Sequence, residues 1–155
     1  MKHWLMKSEP SVFGIDDLMK APKKRSAWDG VRNYQVRNML RDEMQVGDLA
    51  FFYHSSCDEP GIYGVIRIVK EGYPDHTAFD PSHDHFDPKS KASDPTWFMV
   101  DIEFIEKFER PVTLDKLRVH VDKLSDLLVL KRGNRLSITP LTNAEWRYIV
   151  TLAAK

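Results

Sequence analysis

Residues 97–108 read Trp-Phe-Met-Val-Asp-Ile-Glu-Phe-Ile-Glu-Lys-Phe. Apolar side chains occupy every second position from Phe98 to Phe104, and Asp101 and Glu103 lie between them on the other face. A period of two residues is the signature of a β-strand with one buried face. The segment therefore predicts a long strand. The two carboxylates fit its solvent-facing side, although two acids on one face are also compatible with general acid–base chemistry.

The segments around this strand complete an α+β pattern. Further strands are predicted over His3–Lys7, Leu49–His54, Ile62–Lys70 and, as an edge strand, Arg135–Ile138. Helices are predicted over Ile15–Lys20, Val31–Glu43, Thr113–Val119 and Ser125–Lys131, and a last one starts at the capping box of Thr142 and Glu145. We expect one domain over residues 1–155 with about five or six mostly antiparallel strands and short flanking helices.

Composition limits the partners and the compartment. The 155 residues carry 23 Lys+Arg and 23 Asp+Glu, so bulk electrostatics do not favour coating of nucleic acid. No apolar run approaches the roughly 18 residues of a membrane helix, so no membrane partner is expected. Cys57 is the single cysteine, which excludes an internal disulfide and points to a cytoplasmic location. We also expect a monomer, because no apolar surface run requires a partner.

Charge is segregated along the chain. Residues 20–41 are strongly basic and residues 75–94 are acidic. The two segments either form a dipole or are two independent solvated stretches. The acidic segment belongs to a long loop over residues 73–95 that also carries His76, His83 and His85. Histidine and aspartate are metal-ligand types, but their spacing matches no known site, so we expect a solvated loop without metal.

Catalytic signatures are missing from the chain. It has no glycine-rich phosphate loop, no His-Glu-x-x-His helix and no Gly-x-Ser-x-Gly elbow. Cys57 precedes Asp58 and Glu59, whose charges would raise the pKa of a thiol and make it a poor nucleophile. We therefore predict no catalytic residues, no cofactor and no metal.

Trp28 has an unusual setting. It lies in the polar stretch Lys-Lys-Arg-Ser-Ala-Trp-Asp-Gly at 23–30, just before Arg32, Asn33 and Tyr34. An aromatic ring beside an amide and guanidinium groups suits the stacking and edge recognition of a nucleobase. Core packing of Trp28 and helix capping by Asn33 explain the same residues without a ligand. Both interpretations remain open.

Several long motifs resemble the EVE domain family. They are Trp-Leu-Met-Lys-Ser-Glu-Pro at 4–10, Trp-Asp-Gly-Val-Arg-Asn-Tyr-Gln-Val-Arg-Asn at 28–38, Phe-Phe-Tyr-His-Ser at 51–55, Pro-Gly-Ile-Tyr-Gly-Val at 60–65, Tyr-Pro-Asp-His-Thr-Ala-Phe-Asp at 73–80 and Gly-Asn-Arg-Leu-Ser-Ile-Thr-Pro-Leu-Thr at 133–142. The match runs in order through essentially the whole chain. It implies a PUA-like pseudo-barrel built on a bent mixed sheet, and a relationship to YTH domains, which hold methylated adenine in an aromatic cage.

The resemblance also implies a binding site. In a YTH-like arrangement Lys7 and Ser8 follow the first strand, Trp28 is the first cage wall, Trp97 is a second wall, and Asn33 reads the base edge. His54 and Ser55 would face the same cleft, with Arg32, Tyr34 and Asn38 along the helix beside it. These ten residues are the sequence-based candidates for ligand binding.

The sequence thus favours a non-catalytic reader of a modified nucleobase in DNA or RNA, and the resemblance to EVE domains implies that this base is a cytosine derivative. One alternative is an enzyme acting on a nucleotide or modified nucleoside, with His54 as acid or base and Asp29 or Asp101 in support. Another is a protein-interaction module whose contact surface is the acidic segment 75–94.

Overall fold

One open, six-stranded sheet forms the centre of the molecule. The computed structural model describes residues 1–155, and its strands are β1 (His3–Ser8), β2 (Arg25–Trp28), β3 (Leu49–His54), β4 (Gly61–Pro74), β5 (Phe98–Thr113) and β6 (Ile138–Leu141). The strand order is β2-β5-β4-β3-β1-β6, with β1 parallel to β3 and all other neighbours antiparallel. This confirms the predicted α+β class and the mixed, mostly antiparallel sheet.

Short helices connect the strands. They are α1 (Pro10–Phe13), α2 (Ile15–Lys20), α3 (Tyr34–Asn38), α4 (Leu114–Val119) and α5 (Asn143–Ala153), and a π-helical turn, Met39–Glu43, extends α3. The predicted capping box is present, because Thr142 and Glu145 each accept the other's backbone N–H. None of the helices has the length and hydropathy needed to cross a bilayer.

Two helix predictions need correction. The helix predicted over Val31–Glu43 begins only at Tyr34, because Asn33 is extended and its side chain caps the helix by accepting the Val36 N–H at 3.0 Å. The helix predicted over Ser125–Lys131 is a single 3₁₀ turn, Leu128–Leu130, preceded by an extended Leu127.

The edges of the sheet also differ from the prediction. The edge strand expected over Arg135–Ile138 lies instead at Ile138–Leu141 and includes Pro140, which an edge strand tolerates because one side needs no N–H donor. Strand β2 was not predicted at all. Its four residues show no apolar alternation, and it exists because it pairs with β5, where Trp28 lies opposite Val100.

Both faces of the sheet are covered, as predicted for the central strand β3. Ala50 and Phe52 belong to one buried cluster, whereas Phe51 and Tyr53 belong to the other. Trp28 packs edge-on against Phe52 in the first cluster, with ring centroids 5.6 Å apart. Trp146 stacks on Phe51 at 3.9 Å in the second. The two tryptophans are thus anchored on opposite faces.

A buried carboxylate fixes the start of β3 to β1. Asp48 is 3% exposed, and it accepts hydrogen bonds from the Lys2 and Gln45 backbone N–H groups and from the Trp4 indole, each at 3.0 Å. Three donors satisfy the desolvated carboxylate, which offsets the cost of burying it.

Replacing this carboxylate tests its role. We expect Asp48→Asn to lower the free energy of unfolding by about 2–3 kcal/mol, because the amide NH₂ faces a donor and leaves a buried polar group unpaired. Urea unfolding measures the change, and exposed Asp126→Asn is the control, with an expected change within about 0.5 kcal/mol. Equal stability of the two variants would contradict this role for Asp48.

Candidate functional site

A cavity of about 520 Å³ opens at the end of β1. Its walls come from four separate parts of the chain: Lys7 and Ser8 of β1, Val12 and Phe13 of α1, residues 26–30 at the end of β2, and His76 and His85 of the loop after β4. Small-molecule sites typically enclose roughly 300–1,000 Å³. The cavity can therefore admit a single nucleobase with its sugar.

A second cavity of about 580 Å³ adjoins the first. The two share Lys7, Ser8, Val12, Gly30 and His85, and the second extends the cleft towards Ser55, Arg135 and Ser137. Lys7 is half-buried between them, and this burial lowers the pKa of its amine. The combined cleft has an inner part beside Trp28 and an outer part lined by polar and charged side chains, with Lys7 and Arg135 as cations and Glu9 as an anion.

The position of Trp28 is compatible with both interpretations of its sequence setting, core packing and ligand binding. It is 8% exposed and belongs to the apolar cluster of Phe52, so it is a core residue. It is also one of the residues that line the inner cavity, where a ligand would lie. Packing against Phe52 fixes the orientation of this wall before any ligand arrives.

The end of β1 is held in place by the helix that follows it. The Ser8 hydroxyl donates a 2.6 Å hydrogen bond to the carbonyl of Phe13, and the Lys7 ammonium lies 5.9 Å from the centre of the Tyr53 ring. Both predicted residues of this segment line the cleft. Ser55, predicted beside them, lines its outer part.

A buried ion pair builds the wall opposite β1. The Asp75 carboxylate is fully buried and accepts hydrogen bonds from the Gly30 N–H at 2.8 Å and from Arg32 at 3.1 Å. Arg32 also donates to the His85 carbonyl at 2.6 Å. Burial acts to raise the pKa of Asp75, but the hydrogen bonds from Thr77, Gly30 and Arg32 outweigh it and hold that pKa below its usual value. Arg32 therefore supports the cavity wall and is not itself part of the lining.

His85 lies directly on the turn at Gly30. Gly30 has a φ of +80°, and a Cβ atom there would come within 2.5 Å of the His85 ring. The His85 Nδ1 atom is buried without a hydrogen-bond partner. The prediction of a solvated loop missed this residue. The separation of charge into a basic segment, 20–41, and an acidic segment, 75–94, was the one sequence feature that suggested contact between the two segments. They do meet, through the ion pair of Arg32 and Asp75.

Four other predicted site residues lie outside the cleft. Trp97 is 5% exposed, donates its indole N–H to Asp87 at 2.6 Å and packs against exposed Tyr34 at 4.9 Å. Asn38 accepts a hydrogen bond from Arg37 at 2.9 Å. Trp97, Tyr34, Asn38 and the capping residue Asn33 do not line either cavity.

His54 is also directed away from the cleft. Its Nε2 atom accepts the Ile15 N–H at 3.1 Å, and its ring stacks on Tyr63 at 4.0 Å. Burial lowers the pKa of His54, which favours the neutral ring that this hydrogen bond requires. His54 therefore has a structural role, because its hydrogen bond to Ile15 holds α2 against β3.

Potential metal ligands meet at the rim of the cavity. Atoms of Asp29, His83 and His85 lie within 4.8 Å of one another. The His83 Nδ1 atom accepts the His85 backbone N–H at 3.0 Å, so this nitrogen already has a structural partner. The absence of a metal stays a prediction.

The Asp75 contacts predict a pH-dependent loss of stability. We expect Asp75→Asn to lower the unfolding free energy by about 3 kcal/mol at pH 7, because one partner of a buried ion pair is removed. A lowered native pKa stabilises the fold above the unfolded pKa of about 3.9, and this contribution is lost as the pH falls through the native value. The difference between parent and variant should therefore narrow below about pH 4.

Chemical unfolding between pH 3 and 7 measures this difference. Asp84→Asn, an exposed substitution in the same loop, is the control and should leave the curve unchanged. A constant gap between parent and Asp75→Asn over this range would contradict the assignment.

Comparison with known proteins identifies close relatives. Thymocyte nuclear protein 1 of Homo sapiens is 45% identical over 169 residues, which cover 99% of this chain and 74% of that protein. The crystal structure of human THYN1 protein in complex with 5-methylcytosine containing DNA matches with a TM-score of 0.94 and 45% identity, covering 100% of this chain and 99% of that one. A Pseudomonas putida protein matches with a TM-score of 0.92 and 44% identity, over 97% and 99% of the two chains.

These relatives correct the predicted compartment. The animal proteins are named thymocyte nuclear protein 1, so the prediction of a cytoplasmic location is wrong against this comparison. The single cysteine could not have made the distinction, because disulfides are rare in the nucleus and in the cytosol alike.

Family membership follows from the whole chain. Residues 2–152 match the sequence profile of the EVE domain. The identity to thymocyte nuclear protein 1 extends over nearly the same length, and the folds superpose throughout. The motifs at 4–10, 28–38 and 133–142 that suggested this resemblance lie inside the matched region. The chain belongs to the EVE domain family.

Proposed function

We propose that this protein is a non-catalytic, monomeric module that binds DNA containing a modified base, a cytosine derivative, and holds that base in the inner cavity beside Trp28. The observation that carries the proposal is the base-sized cavity bordered by Trp28. It occurs in a chain whose fold matches that of a human relative in complex with 5-methylcytosine containing DNA.

Stacking inside the cleft can offset the free energy that is needed to extrude a base. Extruding a base from a stack costs a few kcal/mol, and stacking on an aromatic side chain returns about 1–3 kcal/mol per base. Lys7 and Arg135 line the outer cavity and are placed to meet phosphate oxygens. With no net charge on the chain, unmodified DNA should bind only weakly, at micromolar concentrations or above.

Particular contacts weigh against the two alternatives. The enzyme hypothesis relied on His54, whose Nε2 accepts a backbone N–H away from both cavities. The interaction-module hypothesis relied on the acidic segment 75–94 as a contact surface, of which Asp80, Asp84 and Asp94 are exposed. Asp75 is buried against Arg32, and Asp87 accepts the Trp97 indole, so these two acids serve the internal structure of the loop.

A binding titration with two matched variants tests the proposal. Short DNA duplexes carry 5-methylcytosine, 5-hydroxymethylcytosine, N6-methyladenine or no modification. We expect the parent protein to prefer a cytosine derivative, and Trp28→Leu to lose about tenfold or more of that affinity, because it removes the aromatic face. Trp146→Leu is the control, since it truncates a buried tryptophan outside the cleft. Fluorescence anisotropy reports binding, and circular dichroism reports folding.

The control separates recognition from stability. Both substitutions create a similar core defect, so similar losses of affinity in two folded variants would mean that Trp28 acts only through packing. A parent protein that binds all four duplexes equally would overturn the proposed function.

A further inference from the structure

Val12 is an exposed apolar residue at the mouth of the cleft. Its side chain is 75% exposed and lines both the inner and the outer cavity. The other large exposed apolar side chains, such as Val119 at 79%, do not line either cavity. An isolated exposed valine needs no explanation. Val12 differs because it lies where the inner cavity meets the outer cavity, whose lining carries Lys7 and Arg135 beside Glu9.

The helix that carries Val12 is firmly held. Pro10 opens α1 with a fixed φ, the Phe13 N–H bonds to the Glu9 carbonyl at 2.8 Å, and the Ser8 hydroxyl bonds to the Phe13 carbonyl. Phe13 itself packs against the core cluster that contains Phe52. A four-residue helix is not stable alone, so these contacts fix its position. Val12 is presented without a loop that must be ordered on binding.

The chemistry around Val12 matches the cross-section of a DNA duplex. Lys7 and Arg135 of the outer cavity suit phosphates, which lie on the outside of the duplex. An apolar side chain suits the interior of the base stack, and proteins that distort DNA insert such residues between base steps. Extrusion of one base leaves a gap in that stack at the point where the base enters the protein.

We propose that Val12 enters the base stack of duplex DNA and fills the space left by the modified base that the inner cavity holds. This inference rests on the proposed function and deepens it, because it assigns the substrate class. A single strand has no opposing partner and no closed stack to fill. The substrate is therefore a modified base within a duplex.

Comparison of duplex and single-stranded DNA tests this assignment. Both forms carry the same single 5-methylcytosine in the same sequence. Val12→Ser should weaken duplex binding about tenfold, the scale of burying an apolar side chain, and weaken single-strand binding by less than about twofold. Val119→Ser removes an equally exposed valine far from the cleft and should change neither. Because both positions are exposed, both variants are expected to fold.

Different results would overturn the role of Val12, the duplex substrate or the base-binding function. An unchanged duplex affinity in Val12→Ser, or an equal loss on both forms of DNA, would overturn the role of Val12 in the stack. A parent protein that selects 5-methylcytosine in single strands but does not bind the duplex would overturn the substrate assignment and leave the base-binding function intact. A parent protein with no preference for 5-methylcytosine in either form would overturn that function itself.

Discussion

The buried contact between Asp75 and Arg32 is the interaction on which the site depends. Asp75 lies just after β4, and Arg32 lies after β2 at the far edge of the sheet. The Asp75 carboxylate also accepts the Gly30 N–H and so fixes the turn that follows Trp28. Arg32 in turn donates to the His85 carbonyl and so fixes the loop that carries His85. Removing one partner would leave a desolvated charge, so the two segments are stable only together.

The sheet supplies the other half of the cleft. Pairing with β5 places Trp28 over Phe52, and pairing with β3 places the end of β1 next to His54 and Ser55. His54 then holds α2 through the Ile15 N–H. These contacts preorganise the cavity walls, so little conformational entropy is lost when a ligand binds.

Much of the fold could be predicted from the sequence, whereas only part of the site could. Strand β3 was predicted with its observed bounds because it is apolar on both faces, but β2 has no such pattern and depends on tertiary pairing. Lys7, Ser8, Trp28 and Ser55 do line the cleft. The predicted residues Arg32 and Asn33 do not line it, because the turn at Gly30, with φ of +80°, ends the wall, and these two residues then serve the ion pair and the helix cap. His85 reaches the cavity only through contacts that no sequence period encodes.

In the proposed complex a modified base lies beside Trp28. The indole N–H signals of the four tryptophans in a ¹H–¹⁵N NMR spectrum report on it directly during titration with a 5-methylcytosine duplex. Trp4 and Trp97 are bonded to Asp48 and Asp87 away from the cavity, and Trp146 lies on the opposite face. We expect the Trp28 signal to shift with the 5-methylcytosine duplex and to stay in place with the unmodified duplex at the same concentration. A shift of the Trp97 signal with an unmoved Trp28 signal would contradict the proposed complex.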